Sequence, residues 1–138
     1  MYSLGGQSTG IIVVVAGTTM HGASVGDSEC WWLVEGGFVD LTAGQSAKPL
    51  LGDGGMPVAF GPFPATGRLL LATDGLFNYV SAEQVLAVAA QPSIDDAARQ
   101  LADLPRLPNG DWPDDVGLIM VDLEHDLLEG LGRDRLSA

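Results

Sequence analysis

The sequence predicts an α+β domain in which antiparallel strands form sheet layers and helices pack outside them. Short apolar runs separated by glycine-rich turns fill the first half of the chain, and helical patterns come only afterwards, in residues 81–105. Apolar residues make up 46% of the chain and charged residues 17%, which is typical of a globular protein. At 138 residues we expect a single domain over residues 1–138.

The amino-terminal half predicts a series of antiparallel strands. Residues 11–16 are rich in β-branched side chains and indicate a buried strand. Short turns then divide three further extended runs, at residues 20–25, 29–34 and 38–42. The pair Gly36-Gly37 predicts a two-residue hairpin turn. Residues 44–67 hold many glycines and prolines and predict a long surface loop.

A second buried strand ends in an acidic residue. Residues 69–73 form an apolar run that Asp74 and Gly75 follow directly. We expect Asp74 to lie at the carboxyl end of this strand, and Gly75 to let the backbone turn away. An ionised carboxylate beside a dry core is costly without a positive partner. This position therefore favours a metal ion or a cationic ligand.

Two helices and a closing strand complete the pattern. Ser81 and Gln84 predict a capping box, Ser93 begins a second amphipathic helix, and Pro105 ends it. A last strand is predicted at residues 116–123. Because the helices follow only after the strands, one apolar sheet face has no predicted cover. Such a face predicts self-association.

Composition excludes two classes of partner. The net charge is −12, with only six lysines and arginines, which argues against nucleic acid and against an anionic membrane surface. The first ten residues lack the basic region of a signal peptide, and residues 11–16 are too short to span a bilayer. Cys30 is the only cysteine, which is compatible with a reducing compartment. We expect a soluble, cytoplasmic protein.

Three acidic residues each end or border an apolar strand: Asp27, Asp74 and Asp114. Hard cations such as Mg²⁺ and Mn²⁺ prefer oxygen ligands and keep several waters, so a few carboxylates at strand ends suffice to bind them. Two such ions can share a water, lower its pKa and orient it for attack on phosphorus. The pattern therefore favours a divalent-cation site of a kind that can serve phosphoryl transfer.

At these residues the chain resembles a known family, the metal-dependent protein phosphatases of the PPM or protein phosphatase 2C type. Four segments carry the resemblance in the family's order: residues 5–9 (GGQST), 22–28 (GASVGDS), 69–76 (LLLATDGL) and 114–121 (DDVGLIMV). Each motif alone is weak. Four in order, over residues 5–123, make a fairly specific signal.

The resemblance implies a fold, an activity and a ligand set. The fold would be the family's α-β-β-α sandwich, and the activity hydrolysis of phosphoserine or phosphothreonine in a phosphoprotein substrate by a metal-activated water. Asp74 and Asp114 would be ligands of a pair of Mg²⁺ or Mn²⁺ ions, with Gly75 in the backbone of the metal site. Asp27 would help to hold a more labile third ion beside Asp74. Asn78 stands where many members carry another acid, which would weaken that third site.

One departure from the family leaves an alternative open. Members carry an upstream Asp-Gly-x-Gly aspartate that bridges the two metals, and no residue before Gly5 can supply it. The resemblance therefore implies that the amino-terminal strands and helices of the domain are missing. The alternative is a truncated or degenerate module that binds a partner or metal without catalysis.

Ordinary structural roles also remain open for the candidate residues. Asp74 could be a turn aspartate, Asp114 a solvated loop acid and Asp27 a turn cap. We expect His21 to be partly buried in its strand and Cys30 to be a small core residue. Trp31 and Trp32 are adjacent on a strand and should point to opposite faces. Ser28 has no recognisable catalytic His and Asp around it.

Overall fold

The computed structural model describes residues 5–123, which form two antiparallel sheets with helices against one of them. The strands are β1 (Gly10–Ala16), β2 (Thr19–Val25), β3 (Glu29–Val34), β4 (Gly37–Asp40), β5 (Val58–Pro64), β6 (Arg68–Ala72) and β7 (Leu118–Asp122). The helices are α1 (Asp74–Phe77), α2 (Ala82–Ala89) and α3 (Ile94–Asp103). The α+β prediction is confirmed.

The two sheets have different strand orders. The first is three-stranded, in the order β1-β2-β5, and the second is four-stranded, in the order β4-β3-β6-β7. Every pairing is antiparallel. The chain crosses from the first sheet to the second at the turn between β2 and β3, which contains Gly26 and Asp27. Consequently β1 and β2 pair with each other, whereas β3 pairs with β4 and β6.

Alternating side chains of β6 enter two separate cores. Leu70 and Ala72 face the helices, and Leu69 and Leu71 face the other sheet. The core on the helix side consists of Trp31, Leu33, Leu70, Ala72, Leu76, Val85, Ala89 and Leu101. The core between the sheets is built on Met20, Cys30, Leu41, Ala65, Leu69 and Leu123. Strand β6 is therefore buried on both faces, as predicted.

The helix starts follow the predicted caps. Ser81 accepts a hydrogen bond from the Gln84 amide, and the Gln84 side chain accepts one from the Ser81 amide, which completes the capping box of α2. Ser93 caps α3 in the same way through the Asp96 amide. None of the helices in residues 5–123 is long and apolar enough to cross a membrane.

The loop predicted for residues 44–67 is wrong in part, because β5 lies inside it and pairs with β2. The prolines of this segment conceal the strand in the sequence, but β5 is an edge strand, where a missing amide hydrogen is tolerated. Phe60 and Phe63 of β5 pack into the core between the sheets. The β3–β4 hairpin is also shifted by one residue. Val34 pairs with Gly37, so the turn is Glu35-Gly36.

Arg68 joins the carboxyl end of α2 to the second sheet, a role that the sequence pattern did not predict. Its side chain is 13% exposed, and its guanidinium donates to the carbonyls of Ala89 (2.9 Å) and Gln91 (2.5 Å). It also contacts the Asp122 carboxylate at 3.2 Å. This contact holds the end of the helix at the start of β6, the end opposite to Asp74.

The outer face of the three-stranded sheet is bare among the described residues. Ile12 and Val14 of β1 are 69% and 55% exposed, so the strand predicted at residues 11–16 is present but its predicted burial is wrong. On the side of β7 that faces away from the helices, Ile119 is 61% exposed. The predicted uncovered face is therefore present. The predicted polar tail at residues 127–138, and His125, lie outside the described residues.

Candidate metal centre

The three predicted ligands lie at one end of the two-sheet structure. Asp74 is the first residue of α1 and follows β6 after one intervening residue, Thr73. Asp114 lies in the segment that leads into β7, the antiparallel neighbour of β6, so the end of β6 and the start of β7 share one sheet edge. Asp27 lies in the turn after β2 and is exposed. Residues from three distant parts of the chain thus meet at one edge.

The pKa of Asp74 is raised from its ordinary value, and two nearby carboxylates contribute to the shift. Burial raises the pKa of Asp74, and the charges of Asp27 and Asp114 raise it further. A hydrogen-bond contact between the Asp27 and Asp74 carboxyls acts in the same direction, whereas the Gly75 amide, which donates to Asp74, lowers the pKa. Asp74 therefore lies in a field of like charge.

None of the ion pairs in the described part of the chain neutralises this charge. The arginines at 68, 99 and 106 pair with other acids, namely Asp122, Asp96 and Asp103. Carboxylates that converge without a cationic side chain are the donor set that hard divalent cations prefer. The chemistry of the residues present therefore fits Mg²⁺ or Mn²⁺.

The spacing sets a limit on that fit. Within residues 5–123, no three acidic, histidine or cysteine side chains are grouped closely enough to hold a single ion. Mg²⁺ is commonly held through one or two carboxylates, with water completing its octahedron. The carboxylates of Asp27, Asp74 and Asp114 fit this open kind of coordination rather than a closed cage.

Gly75 is important for a different reason from the one that the sequence suggested. Its backbone is helical, with no positive φ, so the change of direction from β6 into α1 does not depend on the conformational freedom of glycine. Gly75 is buried, and an added Cβ would lie only 2.1 Å from the carbonyl oxygen of Asp115. The missing side chain lets the segment that carries Asp114 approach the start of α1.

Asn78 and Glu29 modify the surroundings of the centre. The side-chain amide of Asn78, four residues further along the chain, donates to the Asp74 carboxylate at 3.4 Å. Glu29 accepts a 2.6 Å hydrogen bond from the Trp31 indole. Burial raises the pKa of Glu29; the Trp31 hydrogen bond lowers it and the Asp40 charge raises it.

The other residues that the sequence singled out pack or form hydrogen bonds with partners other than the three acids, or are exposed. His21 is exposed, so its predicted partial burial is wrong. Cys30 is fully buried, and burial together with the Asp40 charge raises its pKa to about 12, which leaves the thiol unreactive. Ser28 shares a 2.8 Å hydrogen bond with Thr9. Trp31 packs on the helix side and Trp32 between the sheets, as predicted.

One residue at the centre was missed by the sequence analysis. Thr73 lies between the buried strand and Asp74, and its hydroxyl contacts Asp115 and Gly117. The only signal in the sequence is its position directly before the acid.

Comparison with solved structures places this arrangement in a known fold. The serine/threonine phosphatase PstP of Mycobacterium tuberculosis superposes with a TM-score of 0.70 and 25% identity over 82% of this chain. The PPM phosphatase MsPP of Mycobacterium smegmatis superposes with a TM-score of 0.62 and 22% identity over 75% of this chain. The fold is that of a PPM-type serine/threonine phosphatase. No family model and no curated protein matches the sequence.

The chain accounts for only part of the PPM fold. It spans 58% of the PstP chain and 56% of the MsPP chain. A structure of the PstP catalytic domain contains two manganese ions, and this chain superposes on it with a TM-score of 0.65 and 22% identity, spanning 56% of its length. The resemblance read from the four motifs is therefore confirmed at the level of the fold.

Proposed function

We propose that the chain is the metal-binding part of a PPM-type phosphatase that hydrolyses phosphoserine or phosphothreonine in a phosphoprotein. The observation that carries the proposal is the meeting of Asp27, Asp74 and Asp114 at one sheet edge without a cationic side chain among the described residues. The PPM fold and the metal-bound PstP neighbour support it.

Each residue has a distinct part in the proposal. Asp74 and Asp114 hold the metal pair, and Asp27 lies beside Asp74 where a third ion would bind. Bound Mg²⁺ or Mn²⁺ supplies a water of lowered pKa as the nucleophile, together with positive charge for the phosphoryl oxygens. The chain itself supplies no nucleophile. Its carboxylates are held at the ends of strands, so that they orient the reaction by position.

The test is calorimetric titration of the chain with Mn²⁺, alongside hydrolysis of p-nitrophenyl phosphate. We expect Asp74→Asn and Asp114→Asn each to weaken Mn²⁺ affinity more than about 100-fold, beyond the 10–100-fold typical of outer-shell partners. Asp95→Asn is the matched control. It removes the same charge in the first turn of α3. This turn follows Pro92, whose carbonyl accepts from Arg68 at the end of β6 opposite to Asp74.

Two outcomes would contradict the proposal. A wild-type chain that binds no Mn²⁺ at millimolar concentration would exclude the metal centre. Equal loss of Mn²⁺ affinity in Asp95→Asn and Asp74→Asn would show that the loss comes from the net charge of the protein and not from the removal of a metal ligand. Weak, one-site Mn²⁺ binding without hydrolysis would instead support the alternative of a phosphatase-like module that binds metal without catalysis, and tight binding of two Mn²⁺ ions would argue against that alternative.

A further inference from the structure

The segments that carry Asp74 and Asp114 are joined directly to each other. The ladder between β6 and β7 ends with the pair Ala72 and Leu118. One further backbone hydrogen bond continues it, from the Thr73 amide to the Gly117 carbonyl at 2.9 Å. Thr73 is thus the last residue before Asp74 that the hydrogen bonds between the two segments hold in place.

The Thr73 side chain adds two more hydrogen bonds across the same junction. Its hydroxyl accepts from the Gly117 amide at 3.0 Å and donates to the Asp115 carbonyl at 3.3 Å. Both contacts need an oxygen at this position, because one uses it as an acceptor and the other as a donor. Serine would retain both contacts, and valine, which has the same shape as threonine, would lose both.

The backbone of Asp115 connects Thr73 to the carboxylate of Asp114. The Asp115 carbonyl accepts from Thr73, and the Asp115 amide donates to Oδ1 of Asp114 at 2.8 Å. The hydroxyl thus fixes a backbone segment that in turn fixes one oxygen of a proposed ligand. Thr73 is also the immediate neighbour of Asp74. A single side chain therefore acts on both acids.

We propose that Thr73 is a positioning residue that sets the separation of the Asp74 and Asp114 carboxylates and so determines the affinity for a divalent cation. The inference rests on the proposed function, since it assigns a role within the same centre. Groups that orient metal ligands through hydrogen bonds commonly alter metal affinity 10–100-fold when they are removed. Because Thr73 contacts Asp115 and not Asp114 itself, we expect Mn²⁺ affinity to fall about tenfold when the hydroxyl is removed, at the low end of that range.

The test compares Thr73→Val with Thr73→Ser by calorimetric titration with Mn²⁺. We expect the valine variant to bind Mn²⁺ about tenfold more weakly and the serine variant to stay within about twofold of wild type. Ser81→Ala is the control for stability. It removes the side-chain cap of α2, which lowers the stability of the fold, and should leave Mn²⁺ affinity unchanged.

The outcomes separate this inference from the proposed function. Wild-type protein without Mn²⁺ affinity would contradict the proposed function itself. If wild-type protein binds Mn²⁺ and Thr73→Val binds it within twofold of wild type, the role of Thr73 is overturned and the proposed function is not. If the valine variant does not fold, the serine variant decides, because a tenfold loss with the hydroxyl retained would equally overturn it. Amide exchange at Gly117, faster in Thr73→Val than in Thr73→Ser, reports the lost hydrogen bond independently of metal.

Discussion

Replacement of Gly75 by alanine tests how tightly the junction at the acidic edge is packed. An added Cβ would lie 2.1 Å from the Asp115 carbonyl oxygen and 2.9 Å from its carbon, whereas real Cβ atoms essentially never come closer than 3.0 Å. The obstacle is backbone and cannot rotate away, so the segment has to move by about 1 Å. Forced overpacking of this kind typically costs about 1–3 kcal/mol.

Helix propensity acts in the opposite direction and is the weaker effect. Gly75 lies in α1, where alanine is favoured over glycine by about 1 kcal/mol. Because the clash is with backbone at 2.1 Å, its cost lies in the upper part of the overpacking range, at about 2–3 kcal/mol. After the gain of about 1 kcal/mol from helix propensity, the net expectation is a destabilisation of about 1–2 kcal/mol. For a chain of this size it lowers the melting temperature by roughly 3–8 °C. The displaced Asp115 carbonyl is the one that Thr73 contacts, so we also expect weaker Mn²⁺ binding.

Gly117→Ala provides a control at the same junction. The nearest atom to its added Cβ is the methyl carbon of Thr73 at 3.5 Å, an ordinary contact. Thermal unfolding followed by circular dichroism should therefore find Gly117→Ala close to wild type and Gly75→Ala clearly less stable. Equal melting temperatures for the two variants, or a stabilised Gly75→Ala, would refute the close packing that we derive from the distances.

Two further predictions concern charge and exposed surface. Because burial and two neighbouring carboxylates raise the pKa of Asp74 in the folded state, its ionisation favours unfolding. The metal-free protein should lose stability as the pH rises from about 3.8 through the raised folded pKa, and Asp74→Asn should remove part of that loss in denaturant titrations across this range. Ile12, 69% exposed on the outer face of the edge strand β1, should promote self-association. Sedimentation should detect oligomers that Ile12→Lys reduces, and a monomeric wild type would contradict this.

Local signals in the sequence were enough to predict most elements. The capping box at Ser81 and the cap at Ser93 depend on residues three positions apart, so both helix starts are readable without the fold. Strand β6 is readable because its apolar run is continuous, as expected of a strand covered on both faces.

The missed elements depend on partners that are distant in the chain. Strand β5 contains Pro62 and Pro64, and only its place at a sheet edge makes them acceptable. The division into two sheets is equally non-local. Strands β2 and β3 follow one another in sequence but belong to different sheets, and the turn at Gly26 shows a break without showing where the chain goes next.

The candidate centre was predictable as a set of residues but not as a structure. Each acid could be placed at the end of a strand, and strand ends that share an edge bring their side chains together. The role of Thr73 and the close approach at Gly75 could not be predicted, because both depend on the Asp115 carbonyl, some forty residues away.

The acidic edge is tolerated because the strand beneath it is held so firmly. Like charges 4 Å apart repel by about 1–4 kcal/mol between bulk water and a protein surface. Burial of one leucine contributes about 1.5–3 kcal/mol, and β6 buries Leu69 and Leu70 on opposite faces. The two cores can therefore hold Asp74 beside Asp27 and Asp114 against their repulsion. A cation bound there turns the same charges from a cost into an attraction, so the stability of the folded chain should increase with Mn²⁺ concentration.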